Sequence, residues 1–317
     1  MSFKTFLRPS APGGVMTLDP IKKYTAPRWF KATTGAVITP YIIALGALGI
    51  SGPVSVEFDA AAGDSELFGL VANATAAFDI RIVDPGRTNY EWSNRVINGN
   101  TIMGTSQLPY YLPETYFMDV ANGGKRQLTL YLTDLSGAPN NVRISFFGRT
   151  FFNRQAPAAI KKEYRKRIGD KERSRLHFLT SDQPITALGA GATVRGRFLV
   201  PSDWPFEMAK LTVDTLPAAT PFEMEMWENG TSKRFSNMGL RLHSTEMWGS
   251  GQLPFILPET KVLARNDFLE FDIWNLGANP TNFYLTIGGR LLRSENVRDL
   301  MDNYEGYTGE SRLLESR

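Results

Sequence analysis

The sequence contains no cysteine, which excludes a disulfide framework, a thiolate metal site and a cysteine nucleophile together. It has two histidines, His177 and His243, in 317 residues, so imidazole chemistry is confined to two positions. Long hydrophobic runs are missing as well: the most apolar window, residues 35–50, is interrupted by Pro40, Gly46 and Gly49, too short and too broken to span a bilayer. The start, Met1-Ser2-Phe3-Lys4, has neither a continuous apolar core nor a small-residue cleavage site and predicts no secretory leader. A soluble chain without a membrane partner is expected.

What is abundant is aromatic. Twenty Phe, eleven Tyr and six Trp favour strands over helical bundles, because flat rings fit half-buried pleated surfaces. At 317 residues one hydrophobic core has reached its useful size, which predicts two domains. The net charge of +3 is unevenly spread: residues 161–175 hold eight basic and three acidic side chains, so the basic character belongs to one segment.

The chain repeats itself. Residues 104–115, Gly-Thr-Ser-Gln-Leu-Pro-Tyr-Tyr-Leu-Pro-Glu-Thr, match residues 249–260, Gly-Ser-Gly-Gln-Leu-Pro-Phe-Ile-Leu-Pro-Glu-Thr, at eight of twelve positions. Leu135–Asn141 with Gly148-Arg149 matches Leu276–Asn282 with Gly289-Arg290, and Phe78-Asp-Ile-Arg-Ile matches Phe222-Glu-Met-Glu-Met. Each half carries the period-2 alternation of strands, as in residues 127–134, 142–146, 268–274 and 283–287, with Pro- and Gly-rich turns between. The expected fold is therefore all-β: two duplicated antiparallel β-sandwich or jelly-roll domains, at residues 41–152 and 181–293. Three segments fall outside them. Residues 1–40 read as an extended N-terminal arm, 153–180 as a basic, partly helical linker, and 294–317 as a short C-terminal helix or tail.

Familiar catalytic patterns fit poorly. Gly63-Asp64-Ser65 would need a general base to act as a nucleophile site, and neither histidine has an Asp-x-x-His context, so a surface turn is expected there. Glu114 and Glu259 occupy equivalent positions in separate copies, and two glycosidase carboxylates must face one bond. The motif residues Gln107, Pro109, Pro113, Glu114, Gln252, Pro254, Pro258 and Glu259 thus read as scaffold, with the glutamates fixing turns. No metal-ligand spacing or phosphate-binding glycine loop is present, and no cofactor is expected. The six tryptophans could stack on sugars, although core and interface roles are commoner. The arm's Phe3, Phe6, Leu7, Trp29 and Phe30 are too apolar for a solvated tail and call for a surface to cover. The strip Lys161, Lys162, Arg165, Lys166 and Arg167 suits a solvated helix face or an acidic neighbour. Nucleic acid is possible but not favoured, because no aromatic residues interleave the charges for base stacking.

The runs Phe78–Arg87, Gln107–Glu114, Asp134–Gly137 and Gly148-Arg149 together resemble tandem β-sandwich virion structural proteins of tailed bacteriophages. That resemblance implies a non-enzymatic particle component, located in the virion after synthesis in the host cytoplasm, whose partners are copies of itself and other virion proteins. Head decoration, minor capsid and neck roles all fit. The alternative reading is a carbohydrate-binding β-sandwich module, free or mounted on a virion.

Overall fold

The computed structural model describes residues 20–34, 41–58, 63–87, 89–118, 126–152, 155–171, 174–228, 234–235 and 240–292. The expected arm residues Phe3, Phe6 and Leu7 and the expected C-terminal tail lie outside them.

Domain 1 contains β1 (Thr25–Thr33), β2 (Ile43–Leu45), β3 (Val54–Phe58), β4 (Asp64–Ala74), β5 (Phe78–Asp84), β6 (Tyr90–Glu91), β7 (Ile97–Asn98), the short helix α1 (Gly99–Ile102), β8 (Tyr110–Met118), β9 (Arg126–Asp134) and β10 (Asn140–Phe151). Helix α2 (Ala158–Lys171) follows. Domain 2 contains β11 (Ser174–Thr180), β12 (Ile185–Leu188), β13 (Thr193–Leu199), β14 (Phe206–Leu216), β15 (Phe222–Glu228), β16 (Leu242–His243), helix α3 (Ser244–Met247), β17 (Phe255–Leu263), β18 (Phe268–Asn275) and β19 (Thr281–Leu292).

Alternation decides which face of each strand is buried. Val54, Val56 and Phe58 of β3 point inward with Phe78, Ile80 and Ile82 of β5 and Leu128, Leu130 and Leu132 of β9. Phe222, Met224 and Met226 of β15 and Leu269, Phe271 and Ile273 of β18 do the same in domain 2.

Domain 2 is a sandwich of two antiparallel layers, β11-β19-β14-β17 and β13-β18-β15-β16. Domain 1 repeats that order strand for strand, β1-β10-β4-β8 against β3-β9-β5-β7, with β7 paired to β5 as β16 is to β15. Here β1 is long enough to serve both layers, pairing β10 through Thr25–Lys31 and β3 through Ala32 and Thr33. Each domain is thus a complete eight-stranded jelly roll, and the duplication covers all eight of those strands; the short β6 is matched in domain 2 by the single bridge between Trp227 and Arg234.

Two boundaries differ from expectation. Residues 25–33, read as part of an arm, are the first strand of domain 1, and residues 174–180, read as linker, are the first strand of domain 2. Pro27 and the exposed Arg28 and Trp29 hide the alternation of β1. In β11 five consecutive residues, Leu176–Thr180, are buried, because one face packs on its own sandwich and the other on domain 1. A strand covered on both sides loses its period. Leu176 and Phe178 accordingly belong to the core of domain 1, while Leu179 belongs to that of domain 2. Helix α2 contributes Tyr164, which stacks on Phe151 with ring centroids 3.7 Å apart, and closes a small third core with Ile21, Phe117 and Ala156.

Candidate functional site

The repeated motif has a mechanical meaning. After Gly104 the chain doubles back so tightly that Thr105 N–H donates to Leu108 O at 3.0 Å; Ser250 N–H does the same to Leu253 O at 3.1 Å. The Thr105 and Ser250 hydroxyls accept from the amides of Leu108 and Leu253. Downstream, Thr115 donates to Glu66, which also receives Arg149 Nε at 2.7 Å. In domain 2 Thr260 donates to Glu207, which receives Arg290 Nε at 2.6 Å. The preceding glycines permit this clasp, because a β-carbon at Gly148 would lie 2.0 Å from Glu66 O and one at Gly289 2.1 Å from Glu207 O.

The motif glutamates do not fix turns, as was expected of them. Glu114 crosses the molecule and accepts from Arg290 Nη1 at 2.9 Å, so Arg290 holds one carboxylate from each domain. Glu259, its counterpart, is exposed, as are Pro258, Gln252 and Gln107, whereas Pro109, Pro113 and Pro254 are half-buried.

Around Arg290 runs the seam between the jelly rolls. Tyr110 is fully buried there, its ring 6.3 Å from that of Phe178. The chain of Gly288 passes so close that an added β-carbon would meet Pro113 Cγ at 2.9 Å and Tyr110 Oη at 3.0 Å. Lys210 Nζ donates to Tyr111 O at 2.6 Å, and burial lowers the lysine's pKa to about 8. Further along, Phe178 N–H donates to Trp92 O at 2.7 Å and Asn94 N–H to Phe178 O. The Asn94 side chain also bonds the backbone of Thr180, and Tyr90 Oη donates to Leu176 O at 2.8 Å. Buried apolar side chains and paired polar groups together join the two domains.

Two clefts open along this seam. One, of about 110 Å³, is lined by Asp79, Asn98, Thr186 and Tyr284 among others. Burial raises the Asp79 carboxyl to about 6 and raises Asp214 and Tyr284 too, with the Asn100 amide partly offsetting this at Asp214. Sequence reading does not single out this pair of acids: Asp79 reads only as the polar position of an alternating repeated strand, and Asp214 lies in no repeated motif. The cleft is well below the several hundred Å³ that a sugar-sized ligand fills. A wider one, of about 590 Å³, is lined by Glu91, Asn94, Arg95, His177, Asp182 and Asp203. Full burial depresses the His177 imidazole to about 3, which favours its neutral form.

The raised Asp79 pKa has a testable consequence. The folded state holds this proton up to about pH 6, whereas an unfolded carboxyl releases it near pH 4, so stability from this group is present below that window and is lost as pH rises through it. Asp79→Asn should stabilise the protein by about 1–2 kcal/mol at pH 7 and change little at pH 4, as urea denaturation at the two pH values would show. An equal effect at both would refute it.

Other sequence candidates are placed as follows. Ser65 is not at a surface turn: it is buried in β4, its hydroxyl 3.4 Å from Thr150 Oγ1. Trp29 is 59% exposed in β1, its ring 5.5 Å from Phe147. Phe30 is half-buried against Phe58. The basic strip lies on α2, where Lys162, Arg165 and Lys166 are exposed and Lys161 half-buried; Arg167 falls within the same helix. Trp92 and Trp248 are core residues. Trp227 and Trp274 share the outer face of the β13-β18-β15-β16 layer, but Arg195 and Arg241 sit over their rings, at 5.1 and 3.7 Å from the centroids.

Among the described residues no helix is long and apolar enough to cross a membrane, and no group of three or more His, Asp or Glu could hold a metal ion. No protein-family description matches the chain, and no curated protein matches it either. Among solved structures it is similar, at 10% identity and a TM-score of 0.44, to a chain from the atomic structure of Sulfolobus Turreted Icosahedral Virus, over 87% of this chain and 93% of that one. It is also similar to PNGase F, a glycosylasparaginase from Flavobacterium meningosepticum, at 10% identity and a TM-score of 0.32, over 84% and 96%. A third likeness, to the CBM22-1-CBM22-2 tandem domain of Paenibacillus barcinonensis Xyn10C, has 9% identity and a TM-score of 0.16, over 86% and 93%. At these scores none of the three bears on what this chain does.

Proposed function

We propose that this chain is a structural component of a virion, of the tailed-bacteriophage type its sequence resembles, acting as a head decoration, minor capsid or neck protein rather than as an enzyme. The observation that supports this reading is the duplication itself. A whole jelly roll, a fold used by capsid and lectin domains, occurs twice, and the first copy of the repeated Leu-Pro-x-x-Leu-Pro-Glu-Thr motif packs domain 1 against domain 2. Two like domains present like faces, which suits repetitive contact with neighbours. Two of the groups weighed above as catalytic are engaged structurally: Glu114 pairs with Arg290 and Ser65 is buried against Thr150. Copies of itself and other virion proteins are the partners this role requires, and the strip on α2 suits an acidic neighbour better than nucleic acid.

The test is the number of copies per purified particle, counted by quantitative mass spectrometry. Hundreds indicate a shell component and about a dozen a neck ring; absence from particles refutes the reading.

Carbohydrate binding is the second reading, favoured by two tryptophans on one sheet face. The guanidinium groups of Arg195 and Arg241 already occupy ring faces that a sugar would use, which argues for a structural role of both rings. Titration with host polysaccharide decides the matter, and saturable binding lost in Trp274→Ala would reinstate it.

A further inference from the structure

The seam joins one donor edge to one acceptor face, and each jelly roll owns both. The donor is the edge strand β8 with Tyr110, Pro113 and Glu114. The acceptor is the outer face of β11 and β19, with Phe178, Gly288 and Arg290. Strand register identifies the counterparts. Trp29 of β1 pairs with Phe147 of β10 as Phe178 of β11 pairs with Gly288 of β19. Arg149 bonds Glu66 as Arg290 bonds Glu207. Trp29, Phe147 and Arg149 therefore form the acceptor face of domain 1, and Phe255, Pro258 and Glu259 form the donor edge of domain 2.

Within the chain, one donor and one acceptor are joined to each other. Among the described residues the remaining two are open. Phe178 is fully buried, whereas Trp29 is 59% exposed. Glu114 is half-buried on Arg290, whereas Glu259 is exposed beside Ile256 (64% exposed) and Leu253 (65% exposed). Charge matches as well, since Arg290 binds two carboxylates, Glu207 and Glu114, and the ion pair described for Arg149 is with Glu66.

We propose that the donor edge of domain 2 docks on the acceptor face of domain 1 in a second copy of this chain, with Glu259 of one copy bound to Arg149 of the next. This rests on the assembly role proposed above and names its contact. Two substitutions between the copies adapt the site. Domain 2 has Lys210 and Gly288 where domain 1 has Gly69 and Phe147, so each has one large residue and one glycine. The Phe147 ring lies over Gly69, where an added β-carbon would meet it at 2.4 Å. Opposite it comes Phe255, which lacks the hydroxyl of Tyr110. The contact between chains is thus more aromatic than the one within the chain, and keeps its ion pair. Because donor and acceptor are different patches, copies join head to tail, closing into a ring or running on as a filament.

The test uses two full-length variants. Glu259→Arg spoils the donor and leaves the acceptor; Trp29→Asp spoils the acceptor and leaves the donor. In analytical ultracentrifugation each alone should self-associate about tenfold or more weakly than the unaltered chain. An equimolar mixture should recover a 1:1 dimer and nothing larger, since one good donor then meets one good acceptor. Either variant associating normally, or a mixture that recovers nothing, overturns the proposal. The absence of cysteine allows an independent trap that catches weak contacts. Pro258→Cys with Phe147→Cys should form a disulfide between chains, while Pro113→Cys with Gly288→Cys should close within one chain as the control. Control closure without inter-chain bonding overturns the proposal. So does inter-chain bonding that appears only after residues 1–19 are deleted, which would assign the face to the chain's own N-terminal segment. Presence in particles with a failed trap would leave the virion role standing and remove this contact alone.

Discussion

Gly104→Ala should lose about 3–5 kcal/mol of stability, a large part of what a domain possesses. The added β-carbon would lie 2.1 Å from Leu108 O, 2.3 Å from Tyr110 N and 2.6 Å from Pro109 C. All three are backbone atoms, so no side chain can swing aside, and the turn itself must open. Opening it breaks the Thr105–Leu108 hydrogen bond and the link from Ala72 N–H to Gly104 O at 2.9 Å. It also displaces Tyr110 and Leu112 from the core. Gly249→Ala should act equally on domain 2, where the β-carbon would meet Leu253 O at 2.1 Å. Gly52→Ala is the control, because nothing lies within 4 Å of that position, and it should stay within about 0.5 kcal/mol. Urea denaturation midpoints compare the three. A Gly104→Ala midpoint equal to that of Gly52→Ala would contradict the close approach.

That pair of glycines shows how far the sequence could be read. Identity between residues 104–115 and 249–260 announced a duplication, and alternation in residues 127–134 and 268–274 announced strands. Both signals are local, and both survive in the fold. What the motif is for was not legible, because its partners, Glu66 and Arg149 in one copy and Glu207 and Arg290 in the other, lie far away in sequence and meet only once β4, β8 and β10 are side by side. The same distance hid the reach of Glu114 across to Arg290. Strands β1 and β11 escaped for a different reason. Periodicity reports a strand with one wet face, and β11 has none, while β1 carries Pro27 and passes from one layer to the other. Asp79 and Asp214 looked like ordinary charges on alternating strands, since each is covered from the opposite domain, which no pattern within its own domain reveals.

Gly288→Phe, which gives domain 2 the residue that domain 1 carries at the equivalent position, should separate the two jelly rolls without unfolding either. The space is already filled by Pro113 Cγ, 2.9 Å from an added β-carbon, and by Tyr110 Oη at 3.0 Å, with a Phe178 ring carbon at 3.3 Å. An entire ring has nowhere to go while Lys210 occupies the neighbouring site. Extra methylenes in a packed site already cost about 1–3 kcal/mol, and a whole ring beyond a β-carbon that meets three atoms at 2.9, 3.0 and 3.3 Å costs more than that. Relieving it by opening the seam gives up the Arg290–Glu114 pair and the Lys210–Tyr111 bond and exposes Phe178, whose burial alone is worth about 1.5–3 kcal/mol. Calorimetry should therefore show two transitions in place of one, with protease cleavage appearing between α2 and β11. Adding Lys210→Gly should restore much of the coupling, because the new ring could then lie over that position as Phe147 lies over Gly69. A single unchanged transition in Gly288→Phe would mean that the seam is looser than these distances state. A double variant no better than the single would mean that the two sites are not exchangeable, and would count against treating the acceptor face of domain 1 as the equivalent of that of domain 2.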